Sequence, residues 1–317
     1  MEQKGYIDSY VYQYLTYATM ALQQNGSKLA KAVMHQALKG KAAEVAEIIQ
    51  ETDAIPDLIY ERDTPNVNIE HQRRWVMPRN WKWATLVDRI HSLETIVDPT
   101  QQYVKAGAAA MGRTQDDTIL AGLFGPNFIG ANIAQNNVTP NLMAYNNGSQ
   151  VIAADVGASS ATGMNVDKIL AAQEMLVAND VDMSTEASWL IITAKQATEL
   201  KQDVRFTSRD FVGSTVLDQN GLPASFAGFN FIISERIPGG SKFNSRDITG
   251  VTGYETGETY LLPFFTTRGM LLGTWEDLYA QISQRSDKNY AWQAYLEGTW
   301  GATRLEEKRC GVIVCSN

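Results

Sequence analysis

The sequence predicts an α+β fold, because one long helix and four shorter helices are combined with strands that cluster towards the C-terminus. The long helix has Asp98 as its N-cap and Pro99 in its first helical position, and Gly125-Pro126 ends it. The C-terminal strands read TYLLPFF, GMLLGTW, LYAQISQR, AWQAYLEGTWGATR and KRCGVIVC. Because only SDKN and LEE separate the last three, we expect these to run antiparallel.

Composition limits the class of protein. The chain has 317 residues, of which 44% are hydrophobic and 20% are charged, as in a globular protein with a sizeable core. Its net charge is −8, whereas a protein that mainly grips phosphate groups is usually basic. The sequence contains no run of 18 apolar residues, so no membrane span is predicted. The first residues lack the apolar stretch of a signal peptide.

The only two cysteines, Cys310 and Cys315, stand five residues apart on one predicted strand and therefore point to opposite faces. A disulfide between them is not expected, and two buried free thiols are predicted. This usage indicates synthesis in a reducing cytoplasm.

The first 50 residues predict an N-terminal arm of two amphipathic helices. Apolar residues recur at helical spacing over residues 5–23, and a similar stripe begins at Leu29. Four lysines lie off this second stripe and predict a solvated helix face: Lys28, Lys31, Lys39 and Lys41.

Residues 73–87 alternate with period two, which predicts a pair of strands that turns near Pro78-Arg79-Asn80. Three indoles share one face of this ribbon, and a two-stranded ribbon cannot bury them by itself. Aromatic rings interleaved with cations are typical of a nucleic-acid platform, and Trp and Arg are also typical of subunit contacts. The residues concerned are Arg73, Arg74, Trp75, Arg79, Trp81 and Trp83.

The middle of the chain predicts a mixed region of helices and strands. Asn165 caps a helix that runs to Asn179, and Thr193 with Gln196 forms a capping box at the start of another. SWLIIT and FAGFNFIIS read as strands.

Motifs of known catalytic sites are not found in the sequence. It contains no G-x-S-x-G elbow, no Walker loop, no G-x-G-x-x-G and no H-E-x-x-H. Its three histidines lack a cluster of partners at metal-ligand spacing. On the long helix, Arg113 and Asp117 are four residues apart, which predicts a structural ion pair. We therefore predict no catalytic, cofactor or metal site.

The order of these pieces resembles the major capsid proteins of tailed bacteriophages. A helical arm is followed by a ribbon with RRW, then by DPTQQYVKAGAAAMGRTQDDTIL, a domain of helices and strands, and ISQRSDKNYAWQAYLEGTWGATRLEEKRCGVIVC. The resemblance covers most of the chain, and its order carries more weight than any single motif. It implies the tailed-phage capsid fold with an N-terminal arm (1–50), an extended loop (51–92), a peripheral domain (93–139 and 257–317) with a spine helix (98–124), and an axial domain (140–256).

The resemblance also implies roles for particular residues. The six Arg and Trp residues of the ribbon, from Arg73 to Trp83, would lie at a subunit interface on the extended loop. Some family members cross-link this loop through a Lys–Asn isopeptide bond, for which Lys82 and Asn289 are chemically suited, although the surrounding pattern does not support the bond here. The spine would carry Tyr103, Arg113 and Asp117, and the peripheral-domain tip would carry Arg285, Asp287, Lys288 and Asn289.

The function implied is that of a structural, non-enzymatic subunit whose pentamers and hexamers form an icosahedral shell around double-stranded DNA. Its partners would be copies of itself, portal and decoration proteins, and packaged DNA in weak non-specific contact, with either a separate scaffolding protein or none and without a membrane or a cofactor. It would assemble in the bacterial cytoplasm and reside in the virion capsid. Two alternatives stay open: a nanocompartment shell protein of the same fold, and a nucleic-acid-binding protein acting through residues 73–83.

Overall fold

A computed structural model of the chain describes residues 23–40, 43–49, 71–87, 100–130, 141–143, 150–207, 221–242 and 259–316, with the single residues 54, 67, 69 and 217. The helices are α1 (Thr100–Phe124), α2 (Val166–Ala178), α3 (Ala194–Gln202) and α4 (Val204–Thr207). The strands are β1 (Met34–Ala37), β2 (Ala43–Ile49), β3 (His71–Val76), β4 (Arg79–Val87), β5 (Asn127–Ile129), β6 (Asn141–Met143), β7 (Val151–Ile152), β8 (Ser188–Ile192), β9 (Ser225–Phe226), β10 (Phe229–Ile233), β11 (Thr259–Thr266), β12 (Met270–Arg285), β13 (Ala291–Arg304) and β14 (Cys310–Ser316).

The main core surrounds a six-stranded sheet of order β7-β14-β11-β8-β10-β9. Strand β8 lies inside this sheet, parallel to β10 and antiparallel to β11. Leu190, Ile191 and Ile192 are fully buried, which explains the continuous apolar run in SWLIIT. The strands predicted from SWLIIT and TYLLPFF are confirmed.

A four-stranded sheet of order β1-β12-β13-β4 packs under helix α1. Two glycines let the helix approach closely. A Cβ at Gly107 would lie 2.5 Å from the ring of Trp83, and a Cβ at Gly122 would lie 2.7 Å from the carbonyl carbon of Ala302. Close packing of this helix on a sheet therefore depends on its small residues.

The third sheet has the order β2-β3-β5-β6. Strands β2 and β3 pair antiparallel from Ala43↔Val76 to Ile49↔His71. Strand β5, which follows the end of α1, joins β3 at Arg74 and Trp75. The β2–β3 pair is thus connected to the body at the C-terminal end of the spine helix.

The prediction of a second arm helix after residue 26 is wrong. A short 3-10 turn at Ala30–Ala32 leads into β1 and then β2. Leu29, Ala32 and Val33 are buried in the main core, and β1 pairs in parallel with β12. Tertiary strand pairing overrides the helical spacing of these apolar residues. The first predicted helix lies outside the described residues.

The ribbon prediction is confirmed for its strands and wrong for their pairing. The chain does turn between β3 and β4, near Pro78. However, β3 pairs with β2 and β5, whereas β4 pairs with β13. Strands β3 and β4 are neighbours in the sequence but belong to two different sheets. The period-two pattern predicts the strands and not their partners.

The remaining elements agree with the sequence in most respects. Helix α1 ends before Gly125-Pro126 as predicted, while its predicted cap at Asp98 lies outside the described residues. Asn165 accepts a hydrogen bond from the Lys168 amide as N-cap of α2, and the Thr193–Gln196 capping box of α3 is present. Both caps are confirmed.

The C-terminal strands differ from the prediction in two places. GMLLGTW and LYAQISQR form one strand, β12, with register shifts between Thr274 and Tyr279. The antiparallel pairing of β12 and β13 is confirmed, but β14 pairs with β11 and β7 in the other sheet. The antiparallel neighbour predicted for β14 is therefore wrong, because the turn at Glu307–Arg309 redirects the chain between sheets.

FAGFNFIIS is a tight hairpin of β9 and β10 rather than one strand. Its turn places Ala227 and Gly228 at φ 48° and 81°, a conformation that glycine adopts readily. Both cysteines are buried and free, as predicted. Within the described ranges, no helix is both long and apolar enough to cross a membrane.

Candidate subunit interface

The root of the β2–β3 pair is held by a buried arginine. Arg74 is 2% exposed, and its Nε donates to the carbonyl of Leu305 at 3.1 Å. Desolvation lowers the pKa of its guanidinium, while Glu307 opposes this effect. The structure thus places Arg74 inside its own subunit, between the ribbon and the loop after β13.

Arg304 caps the C-terminal end of the spine helix. Its side chain is fully buried and donates to the carbonyl oxygens of Gly125 at 2.8 Å and of Leu123. Its Nε also contacts both carboxylate oxygens of Glu307 at 2.9 Å. A cation at this position donates to carbonyl groups that lack a hydrogen-bond donor within the helix, and its charge complements the helix dipole. The cap fixes the spine to the end of β13.

The three ribbon indoles are half-buried rather than exposed as a row of rings. Trp75 donates from Nε1 to the carbonyl of Gly130 at 2.7 Å. Trp81 and Trp83 pack against the main core of their own subunit, and the Arg79 guanidinium lies 5.7 Å from the Trp81 ring centre. The subunit therefore supplies much of the cover that we expected from a neighbour. An interface role for these residues and for Arg73 stays a prediction.

The middle of the spine helix binds the segment at residues 23–29. Asp116 is fully buried, and its carboxylate accepts hydrogen bonds from the amides of Lys28 and Leu29 at 3.0 Å each. The same carboxylate accepts from the side chains of Gln24 and Ser27. This carboxylate fixes where the N-terminal part of the chain meets the body.

The ion pair predicted between Arg113 and Asp117 is replaced by other contacts. Arg113 donates to the side chain of Gln23 at 2.9 Å, and the Asp117 carboxylate accepts from Nε of Arg236 at 2.6 Å. Tyr103, near the start of the spine, is 42% exposed. The two charged residues therefore bind separate segments to the helix instead of each other.

The β12–β13 hairpin ends in an exposed tip. Arg285 donates from Nε to the carboxylate of Asp287 at 2.7 Å, and this hydrogen bond lowers the pKa of Asp287 from 3.8 to about 2. Lys288 and Asn289 are exposed, and Asn289 adopts a left-handed conformation with φ 50°. All four predicted tip residues thus stand at one turn, as the SDKN signal indicated.

Exposed apolar residues near the tip were missed by the sequence analysis. Tyr290 is 62% exposed, Ile282 is 50% exposed and Trp292 is 38% exposed. Along the distal part of β12, every residue from 276 to 282 is exposed, so this part of the strand lacks the alternation of a half-buried strand. The mixed composition of LYAQISQR was the available signal.

Lys82, on β4, has a local partner. Its ammonium lies 3.3 Å from the carboxylate of Glu297, which also accepts a hydrogen bond from the Tyr295 hydroxyl at 2.5 Å. The hydrogen bond to Glu297 raises the pKa of Lys82, whose side chain remains 59% exposed. In the part of the chain that the structure describes, no group of three His, Cys, Asp or Glu side chains could hold a metal ion.

Comparison with known proteins decides the family. The sequence profile described as phage capsid protein matches residues 7–317. The chain belongs to the phage capsid protein family. It is a structural subunit of a phage capsid shell, which confirms the resemblance seen in the sequence. No curated protein sequence matches it.

Solved capsids share the fold of this phage capsid protein at low sequence identity. The capsid of cyanophage P-SCSP1u has a TM-score of 0.69 and 14% identity, with 95% of this chain and 91% of that chain covered. The head of Helicobacter pylori bacteriophage KHP40 has a TM-score of 0.66 and 12% identity, covering 95% and 94%. The capsid of a native GTA particle, computed with C5 symmetry, has a TM-score of 0.59 and 11% identity, covering 96% of each chain. The predicted fold class is confirmed.

Proposed function

We propose that this chain is the major capsid protein of a tailed bacteriophage and that its pentamers and hexamers enclose double-stranded DNA. The observation that carries the proposal is the family match over residues 7–317 together with a fold that leaves strand β1 and the distal part of β12 exposed. The fivefold symmetry of a related GTA capsid supports a closed shell. The chain would assemble in the host cytoplasm, with a separate scaffolding protein and with portal and decoration proteins as further partners.

The domain assignment belongs to the same proposal. The N-terminal arm, the peripheral domain and the axial domain are proposed with the ranges that the resemblance implies. The pairing of β2 with β3 supports a loop that begins inside the range 1–50 given to the arm and ends before β4, because β4, inside the range 51–92, pairs with β13 of the peripheral domain. Arg73, Arg79 and the three Trp residues of the ribbon would then act in contacts between copies, and the four tip residues would form the tip of the peripheral domain.

DNA contact is proposed to be weak and non-specific. The net charge of −8 opposes tight binding of phosphate groups, and packaged DNA must move during filling and release. Moreover, Arg74 is buried and the ribbon rings are half-buried, so the 73–83 stretch offers a poor stacking platform.

Assembly of the purified chain tests the proposal. We expect closed particles in negative-stain images and a fast-sedimenting species that forms above a threshold protein concentration. Particles recovered from infected cells should contain double-stranded DNA, whereas a nanocompartment would enclose protein cargo. A chain that sediments as a stable monomer at every salt and scaffold condition would contradict the proposed function.

A further inference from the structure

The pair Asn25-Gly26 forms an open turn on the surface of the spine helix. Both residues are exposed, and Gly26 has φ 73°. A Cβ built on Gly26 would meet no atom within 4 Å apart from its chain neighbours. Among the residues that the structure describes, neither the Asn25 carboxamide nor the Gly26 amide has a hydrogen-bond partner. The carboxamide can therefore turn towards the amide nitrogen that follows it, and no side chain at position 26 hinders the approach.

The backbone at this turn is packed tightly on the helix beneath it. A Cβ at Gly112 of α1 would lie 2.5 Å from the Cα of Gly26 and 2.8 Å from the amide nitrogen of Ser27. Directly after this contact, the buried carboxylate of Asp116 accepts hydrogen bonds from the Ser27 hydroxyl and from the Lys28 amide. Any displacement of the main chain at Gly26 therefore disturbs both the packing on Gly112 and the hydrogen bonds to Asp116.

An asparagine followed by glycine can react with its own main chain. The glycine nitrogen bonds to Cγ of the asparagine while the bond from Cγ to the side-chain nitrogen breaks, and the glycine amide proton leaves with that nitrogen as ammonia. Water then adds to either carbonyl of the five-membered ring and opens it to aspartate or to isoaspartate. Water is the only co-reactant, and no oxidant or reductant takes part. Asparagine is a thermolabile residue for this reason.

We propose that Asn25-Gly26 is a site of spontaneous deamidation whose isoaspartyl product loosens segment 23–29 from the spine helix. In the isoaspartyl form the main chain passes through the former side chain of Asn25 and is one carbon longer. The close contact of Gly26 with Gly112 leaves no room for this extra carbon. Because ammonia leaves and water adds, the modified fraction increases with the age of the protein. The inference goes beyond the proposed function, and its tests use unassembled protein, so they do not depend on whether shells form.

Peptide mapping of aged protein tests the site. The purified, folded chain is incubated in mildly alkaline buffer and then denatured and digested with trypsin beside an unaged sample. The tryptic peptide 5–28 contains Asn25 as its only asparagine. Asn289 is the internal control, because it is exposed but is followed by Tyr290.

We expect Asn25 to convert at least about tenfold faster than Asn289, because glycine leaves the attacking nitrogen unhindered. The rate should rise about tenfold for each pH unit, because the attacking nitrogen must lose its proton and is far from ionised near neutral pH. The peptide should separate into two products of equal mass, one with aspartate and one with isoaspartate. Conversion of Asn25 no faster than that of Asn289 would overturn the proposal.

Limited proteolysis tests the consequence for the segment. Trypsin should cleave the folded chain at Lys28 at least about threefold faster after ageing, because local opening of the segment becomes easier. Asn25→Gln, aged in parallel, is the matched control: its longer side chain keeps the amide but would have to close a six-membered ring, so its cleavage rate should stay at the fresh value. Circular dichroism verifies that both proteins remain folded. Equal cleavage rates in the two aged proteins would overturn the proposal.

A fresh Asn25→Asp variant separates the added charge from the longer main chain. It carries the carboxylate of the ordinary aspartyl product on a main chain of unchanged length. We expect its cleavage at Lys28 to stay within about twofold of that of the fresh unaltered chain, because an exposed charge has little effect on local stability. If fresh Asn25→Asp is cleaved as fast as the aged unaltered chain, the role proposed for the isoaspartyl product is wrong.

Discussion

The two ends of strand β12 meet different environments. Met270 to Gly273 are all buried between β1 and β13, whereas every residue from 276 to 282 is exposed. The change coincides with the end of β1 pairing at Thr274 and with the register shifts that follow it. One strand thus begins inside the subunit core and ends outside it. The difference shows which part of β12 its own chain buries, and we propose that the exposed part contacts neighbouring copies.

The strongest test of this difference compares two substitutions on the same strand. Leu272 is fully buried and Ile282 is 50% exposed. We expect Leu272→Ala to lower the free energy of unfolding of the free subunit by about 2–5 kcal/mol, because it leaves a cavity. Ile282→Ala should change it by less than about 0.5 kcal/mol. Urea denaturation of unassembled protein measures both values.

The exposed residue, which matters little for subunit stability, should matter for assembly. Light scattering should show a higher assembly threshold for Ile282→Ala if the distal hairpin contacts a neighbouring copy. Equal losses of stability from the two substitutions would contradict the division of β12 into a core half and an outer half.

A second test concerns the buried carboxylate on the spine. Asp116→Asn replaces a carboxylate that accepts from four donor groups by an amide whose NH₂ group faces donors. We expect a loss of about 1.5–3 kcal/mol, the range for hydrogen bonds to a charged group. Asp277→Asn, at an exposed position, is the matched control and should be silent.

Thermal unfolding and limited proteolysis before residue 30 measure the effect of Asp116→Asn. Cleavage near residues 23–29 should become faster when the carboxylate is lost. Unchanged proteolysis would mean that this segment is held by its apolar contacts alone.

Substitution of Trp81 tests whether its own subunit or a neighbouring subunit covers the ring. Because its half-buried ring packs on its own core, Trp81→Ala should lower subunit stability by about 2–3 kcal/mol, below the range for a fully buried ring. Its buried Nε1 has no hydrogen-bond partner among the residues that the structure describes, so Trp81→Phe should cost less than about 1 kcal/mol. Circular dichroism of the subunit beside light scattering of assembly separates the two roles. A fully stable Trp81→Ala subunit that fails to assemble would place the cover on a neighbour.

The smallest expected effect is at the hairpin tip. The pKa of Asp287 lies near 2, below its ordinary value of 3.8, because Arg285 donates to the ionised carboxylate. The interaction is therefore complete above pH 3.8 and is lost as the pH falls through about 2. An NMR titration should show this low midpoint, and Arg285→Gln should move it towards 3.8. A midpoint near 3.8 in the unaltered protein would contradict the pairing.

Local signals in the sequence were sufficient to predict much of the fold. The caps at Asn165 and Thr193, the end of α1 and the SDKN turn each depend on residues close together in the chain, and the structure confirms them. The order of these elements was also sufficient to indicate the family. Such features are predictable because their energetics are local.

The pairing of strands and of charged residues that lie far apart in the chain could not be predicted from the sequence. Residues 27–50 carry apolar residues at helical spacing, yet pairing of β1 with β12 and of β2 with β3 decides their conformation. In the same way, Asp117 binds Arg236 from a distant segment instead of the nearby Arg113. The interface role predicted for the ribbon residues stays a prediction, and the packing of Trp81 and Trp83 on the core of their own subunit follows from the tertiary fold.

The two thiols have a consequence for the durability of a particle. Cys310 and Cys315 are at most 1% exposed, and burial raises the pKa of both, that of Cys315 to about 12. Oxidants and alkylating reagents attack the thiolate, which is scarce at neutral pH for such groups. We therefore expect a shell of this subunit to pass from reducing to aerated surroundings without oxidation of these two thiols. Iodoacetamide should leave the folded chain unlabelled and should label both thiols after denaturation.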